Sequence, residues 1–415
     1  MKKKIKAFLL AAVLFTFVVT VVRDNSYTEA AGSKKTNISK AGFYRTYADV
    51  SVELLKKSGL KDIKSGKNVL ISPESILCAM TMSANGAANN TLIQYEDALM
   101  DGYSVSSFSK RLKSFNKKLT SSKKVSFNIA NSIWLSNSAK DSVKPEFIDI
   151  NKKNFGAEID FVDFNKETVE RVNNWVSENT NGMIDKIVER FSPDTVSCLV
   201  NAIAFEAKWA EQYSEYSVKK GRFTNAQGTK EKVNMLYGTE YKYISDENST
   251  GFIKDYEGGD YAFMAVLPKK GITLTEYIKK LNGNKFTALY LGAQSCEVLT
   301  KMPEFSYDYS AKLNNPIKKM GITDAFSQNK ADFGNMLDTS SGANVYIDEI
   351  IHKTHIELDR YGTKAAAATG IINKETCAPD RPKPKKVYLT RPFLYAIVDT
   401  DTGLPVFIGV VNTVK

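Results

Sequence analysis

The spacing of apolar positions divides the chain into a helical first half and a strand-rich second half. Apolar residues recurring at helical spacing, each run opened by a helix-start signal, predict helices over 40–58, over 72–85 after Ser72-Pro73, and over 166–190. In the last of these Val169, Val172, Val176 and Ile184 recur among polar residues. Apolar or alternating runs rich in β-branched and aromatic residues predict strands over 125–135, 196–206, 261–267, 297–307, 346–358, 387–398 and 404–411. Helices first and strands later imply an α+β fold with large antiparallel or mixed sheets. No internal repeat is visible and no Pro/Gly/Ser-rich linker divides the chain before residue 359, so one large domain is expected in spite of the 415-residue length.

One segment breaks the pattern. Between two predicted strands, Asp359 to Lys386 has only Ile371 and Ile372 as bulky aliphatics and carries Pro379, Pro382 and Pro384. A stretch of that composition cannot bury itself, and loops beyond roughly 12–15 residues inside a compact domain are usually functional. An exposed, poorly packed loop is also where proteases cut. An interdomain linker is the alternative, but the 29 residues after Lys386 are too few for a second domain. Both ends of the loop are therefore tethered to one core. Its first half, Gly362-Thr363-Lys364-Ala365-Ala366-Ala367-Ala368-Thr369-Gly370, presents small side chains on either face. Alanine favours a short exposed helix. As a strand, the same segment would put Thr363, Ala365, Ala367, Thr369 and Ile371 on one side and Lys364 in solvent.

Composition adds a compartment and removes several chemistries. With 43% hydrophobic and 25% charged residues the chain is an ordinary globular protein. Four lysines within Met1 to Lys6, then an apolar run from Ala7 to Val22, read as a secretory signal over 1–31 with cleavage near Ala30-Ala31-Gly32. A retained anchor is the alternative, since 16 apolar residues fall just short of a span. Net charge is +11, and +8 once residues 1–31, with five basic and two acidic groups, are removed. The densest basic run is Lys110, Arg111, Lys113, Lys117 and Lys118, with Lys123 and Lys124 behind. It suits weak polyanion binding on one helical face, or a merely solvated surface. Cys78 and Cys198 lie in apolar runs and read as buried free thiols, whereas Cys377 sits in a polar stretch and should be reactive. With Cys296 they would permit two disulfides in an exported protein, but no spacing suits a metal. The two histidines, His352 and His355, accompany no Gly-x-Ser-x-Gly motif, and there is no phosphate loop. The expectation is no enzyme, no cofactor and no metal.

A series of short segments, in order from about residue 40 to 412, resembles the serpin family of serine protease inhibitors. It begins with Asn68-Val69-Leu70-Ile71-Ser72-Pro73-Glu74-Ser75 and Gly86-Ala87. Phe127-Asn128-Ile129-Ala130-Asn131, Phe155-Gly156-Ala157-Glu158, Asn173-Asn174-Trp175-Val176 and Thr180-Asn181-Gly182 follow. Then come Val200-Asn201-Ala202-Ile203, Lys208-Trp209, Gly321-Ile322-Thr323-Asp324-Ala325-Phe326, Ala331-Asp332-Phe333, the Gly362-Thr363 hinge with its alanines, and Arg391-Pro392-Phe393-Leu394. Any one fragment is weak; the ordered series is specific.

The resemblance implies three β-sheets with about nine α-helices and a long bait loop over about 360–386, in a metastable protein, expected to be a monomer; the lysine-rich leader reads as that of a secreted protein of bacterial type. A serine protease would attack the loop and form an acyl-enzyme, and the hinge Gly362 to Thr369 would insert as a new strand, trapping the enzyme. A non-inhibitory carrier or chaperone of the same fold is the alternative. The resemblance further implies that Ser72, Ser75, Asn201 and His352 form a polar cluster beneath the opening sheet, with Trp209 where insertion starts. Where the family usually has a Glu–Lys pair, this chain has Arg360 and Glu304, so a sign-reversed salt bridge is expected. The family's hinge length puts the scissile bond between Thr376 and Cys377, which favours an elastase-like or subtilisin-like enzyme. The stretch from Cys377 to Arg391 runs about five residues longer than the family's, so Lys374 or Glu375 could take the bait position instead.

Overall fold

The computed structural model describes residues 36–192, 195–338, 345–363 and 382–415. Its first helix, α1 (Lys40–Lys64), starts where the Ser39 hydroxyl accepts the Gly42 N–H at 3.0 Å. After the short strand β1 (Val69–Ile71) comes α2 (Pro73–Gly86), capped by Ser72 and opened by a proline whose missing N–H costs nothing in the first turn. Nearly every residue of α2 is buried, so it is a central helix and not an amphipathic surface one. The chain continues through α3 (Asn89–Met100), α4 (Val105–Leu119), β2 (Ser126–Ser136), α5 (Pro145–Phe155), β3 (Glu158–Val162), α6 (Lys166–Asn179) and β4 (Ser197–Lys208). The strand-rich half holds β5 (Val218–Thr224), β6 (Lys230–Ser245), β7 (Ser249–Asp255), β8 (Tyr261–Pro268), α7 (Leu274–Lys280), α8 (Gly283–Leu291), β9 (Gln294–Pro303), β10 (Phe305–Lys312) and α9 (Asn314–Met320). It closes with β11 (Ile351–Leu358), β12 (Gly362–Thr363), β13 (Lys385–Tyr388), β14 (Phe393–Asp399) and β15 (Pro405–Val411).

The helix expected over 40–58 runs on to Lys64, the strand expected over 346–358 starts only at Ile351, and three further segments differ in kind. The helix expected over 166–190 stops at Asn179, because Asn181 and Gly182 both take positive φ, and Ile184 belongs to the loop that follows. The strand expected over 297–307 is two strands, β9 and β10, which separate at Glu304 and enter different sheets. The strand expected over 387–398 is likewise β13 and β14, parted by Arg391-Pro392.

The nine described α-helices surround two hydrogen-bonded sheets. The larger has the order β1-β15-β14-β8-β7-β6-β9-β13, with β5 added on β6. The three expected sheets appear as two because the 16-residue β6 serves two of them. Its start pairs β5 on one edge and its end pairs β7 on that side, while β9 runs along it from Met235 to Tyr243, with a register shift between Glu240 and Lys242. The smaller sheet has the order β10-β11-β12-β4-β2-β3. The main core lies between the sheets and around α1 and α2. A second cluster of Trp134, Val162, Val172, Val176, Ile184, Ile187, Val188, Val200 and Ala202 joins α6 and its loop to the smaller sheet.

Candidate functional site

The smaller sheet contains a seam. Strands β4 and β11 flank it, and the only segment between them among the described residues is the two-residue β12 at its top. Gly362 pairs Lys208 and Thr363 pairs Ala207 on one side, while Thr363 pairs Leu358 on the other, all antiparallel. Below Thr363 neither strand has a described ladder partner on the side facing the seam. A glycine is required at the entry: a Cβ on Gly362 would run into the Ala207 carbonyl and lie 2.8 Å from Lys208 Cα.

Aromatic residues hold this entry. The buried Trp209 stacks on Tyr256 with centroids 4.5 Å apart and planes 10° from parallel, and Trp209 Nε1 donates to the Asp359 carbonyl at 2.9 Å. The Tyr256 and Thr363 hydroxyls are 2.6 Å apart. The backbone N–H groups of Trp209 and Tyr213 donate to the carbonyls of Tyr361 and Arg360 at 2.9 and 3.0 Å. The Asp359 carboxylate accepts the N–H groups of Tyr361 and Gly362, shaping the turn into β12. Lys254 lies over the rings of Tyr213 and Trp209 at 4.6 and 5.5 Å and pairs with the largely buried Glu240 at 2.9 Å. Of this cluster Trp209, Arg360, Gly362 and Thr363 stand out in the sequence. Tyr256, Asp359, Tyr213 and Lys254 carry no local signal, because they meet through contacts between elements far apart in the chain.

Deeper in the seam, Ser75, Asn201 and His352 line one small cavity of about 40 Å³, with Ile187 and Val200. Burial pushes His352 down to about 4, so its ring is neutral at neutral pH. Its Nε2 accepts the Ser72 N–H at 3.1 Å, which puts the ring proton on Nδ1. The Ser72 hydroxyl donates to the Val406 carbonyl at 2.9 Å and accepts the Ser75 N–H at 3.2 Å. Ser72 thus ties α2, β11 and β15 together, its hydroxyl donating to a carbonyl and not to the imidazole. Asn201 donates to Asn131, which donates to the Phe155 carbonyl. His355 faces the other way and meets Asp308 at 2.8 Å.

From the side of α6 the seam is plugged. Met183 and Ile184, in the loop after α6, line one small cavity with the seam residues Ile203, Phe205, Ile356 and Thr363, and Ile187 lines another with Leu199. Asn173 of α6 grips that loop three times, accepting the N–H groups of Ile187 and Val188 and donating to the Val188 carbonyl, and Lys353 of β11 donates to the Lys186 carbonyl at 2.5 Å.

The sign-reversed ion pair does not form. Arg360 donates to the Tyr361 hydroxyl and lies over that ring, while Glu304 accepts from Asn234 at 2.7 Å. The turn from Asp359 to Gly362 directs Arg360 along its own strand and away from Glu304. On α4, Arg111 donates to the Ile38 carbonyl, Lys113 to the Lys153 carbonyl, and Lys118 bridges Asp399 and Asp401, while Lys110, Lys113 and Lys117 are its exposed charges. Cys78, Cys198 and Cys296 are free thiols, Cys78 fully buried and Cys198 half-buried. Lys364, Ala365, Ala366, Ala367, Ala368, Thr369, Lys374, Glu375, Thr376 and Cys377, like the leader expected over 1–31, lie outside the described residues.

The family model for serpins, serine protease inhibitors, matches residues 45–414, and the chain belongs to that family. The solved structure of a thermophilic serpin, tengpin, in its native state is 40% identical, with a TM-score of 0.83 over 92% of this chain and 96% of that one. Its latent-state structure is 38% identical, with a TM-score of 0.78 over 92% and 100%. Among curated proteins, Iripin-8 of the tick Ixodes ricinus is 29% identical over 362 residues, 83% of this chain and 88% of its own.

Proposed function

We propose that this chain is a secreted suicide-substrate inhibitor of serine proteases, with Thr376-Cys377 as the bait bond. The observation that carries the reading is the position of Gly362 and Thr363, which already form the first rungs of a strand between β4 and β11. A protease serine attacking the Thr376 carbonyl forms an ester and releases the amine of Cys377. The severed chain is then free to extend β12 down the seam, with Thr363, Ala365, Ala367 and Thr369 facing inward. Each inserted residue finds ladder partners on both sides, so about ten residues gain on the order of 10 kcal/mol. To admit them the plug of Met183, Ile184 and Ile187 must withdraw, breaking the grips of Asn173 and Lys353. The tengpin structures, in a native and a latent state, support a fold with more than one state for one sequence. The lysine-rich leader supports export, and Lys110 and Lys117 support weak polyanion binding on α4.

Mixing the mature protein with subtilisin or an elastase tests the reading. The expected products are a complex that survives denaturing electrophoresis and a C-terminal peptide whose first residue is Cys377. Cleavage with neither complex nor added thermal stability would transfer the chain to the non-inhibitory carriers.

A further inference from the structure

Strands β5, β6, β9 and β13 carry an alternating ladder of cations and rings on one face. Lys219 of β5 lies 5.4 Å from the Tyr237 ring of β6, Lys301 of β9 lies 4.9 Å from that ring and 4.3 Å from the Tyr388 ring of β13. The register explains the alignment, since Tyr237 and Tyr388 both sit opposite Lys301. Lys386 shares the face, one step of two residues along β13. The opposite face, through Leu236, Val298, Met302 and Val387, is buried, so the ladder is the outward one. None of Lys219, Lys301 and Lys386 makes an ion pair among the described residues. The next acid on the same face of β9 is Glu297, four residues and thus about 13 Å along the strand from Lys301 and one diagonal step from Lys386, with no ion pair joining it to either lysine. Four neighbouring strands therefore hold a positive stripe without an ion pair among the described residues, in which Lys219 and Lys301 are held by ring faces instead of carboxylates. Placing like charges in a row costs stability and is unnecessary for packing, which points to a partner.

We infer that this ladder is a docking surface for an acidic patch on the body of the protease that attacks the bait loop; the inference rests on the reading of the loop as bait. Reach supports it. Nine residues separate Thr376 from Lys385, the start of β13, so the bait bond lies within about 32 Å of the ladder's edge at full extension. A protease of roughly 230 residues is on the order of 45 Å across, and one seated on the bait bond overhangs β13 and its neighbours. Cations stacked on tyrosines offer that overhanging surface both charge and a rigid apolar platform, with little rotamer freedom left to lose on contact. Complementary charge at such a rim acts mainly on the rate of encounter.

The test uses the full mature chain and subtilisin in two forms, unmodified and succinylated on its surface amines so that its surface is acidic, each first matched for turnover of a small peptide substrate. Loop cleavage and stable complex are both followed, and the second-order rate is taken from cleavage. The ladder predicts that a Lys219→Glu, Lys301→Gln, Lys386→Glu variant is cleaved at least tenfold more slowly by the acidic form, with little change for the unmodified form. Added salt should erase the difference. Lys301→Arg, which keeps charge and stacking, should behave as the parent. A rate on the acidic form that ignores the triple substitution, or no cleavage at all, overturns the docking surface. Cleavage that is charge-dependent but leaves no stable complex keeps the docking surface and rejects the inhibitory reading.

Discussion

The hydroxyl of Tyr256 lies 2.6 Å from the hydroxyl of Thr363, so the first inward residue of the hinge is bonded to the same ring that stacks on Trp209. The strand entering the seam is thereby fastened from beneath. Removing either hydroxyl should cost about 1 kcal/mol of native stability, and the pair should be coupled. A double-mutant cycle of Tyr256→Phe and Thr363→Val, read by denaturant unfolding, should return a coupling of roughly 0.5–1 kcal/mol; additivity would show that the bond holds nothing.

Gly362→Ala is expected to displace β12 from β4, because its Cβ meets the Ala207 carbonyl and Lys208 Cα. The cost should be about 1–3 kcal/mol, with slower formation of protease complex, since the first rung of insertion is lost. Gel-based complex kinetics alongside thermal unfolding check both. Unchanged rates would mean that Gly362 and Thr363 do not start the insertion.

Arg360 and Glu304 bond to Tyr361 and Asn234, not to each other. Arg360→Ala and Glu304→Ala should therefore add within about 0.5 kcal/mol in stability. A larger coupling would restore the ion pair to the account.

Glu74, in the first turn of α2, is fully buried and has no cation paired with it among the described residues. Cys78 donates its thiol to one carboxyl oxygen at 3.2 Å from the same helix, the neighbouring Tyr47 of α1 and Asn116 of α4 donate to the Pro405 carbonyl and to Cys78, and Tyr261 of β8 and the Asp399–Lys118 pair lie further out. Burial raises the carboxyl to about 7, above its ordinary value of 4.5. The folded state then holds its proton more tightly than the unfolded chain. Stability from this group is full below pH 4.5 and falls as pH rises to about 7, by about 3 kcal/mol. His352 acts oppositely: with its folded value near 4, its contribution is lost as pH falls from 6.5. Glu74→Gln should flatten the fall between pH 5 and 8 in denaturant midpoints and leave the acid limb intact. A parallel fall in the variant would assign the alkaline limb to another group.

Much of this was legible in the chain. The buried α2, the strands Ser126–Ser136 and Ser197–Lys208 and the C-terminal hairpin of β14 and β15 follow from apolar runs and their punctuation. The long polar connection after Leu358, with its small-residue start, marked where the seam would open. What escaped was tertiary. Tyr256 reaches Thr363 across 107 residues of chain, and Arg360 turns onto Tyr361 because Asp359 folds the backbone back on itself. Ile184 kept helical spacing with Val176, yet the positive φ of Asn181 and Gly182 ended the helix and made Ile184 part of the plug. Periodicity reports burial, and here burial survived the change of element.

The central claim is that a cleaved loop enters between β4 and β11. Thermal unfolding before and after a single cut in the 364–381 segment tests it most directly. Insertion predicts a rise in Tm of at least roughly 10 °C, from a full set of new ladder bonds on both sides of the seam. A cut chain that melts at or below the temperature of the intact one would contradict it.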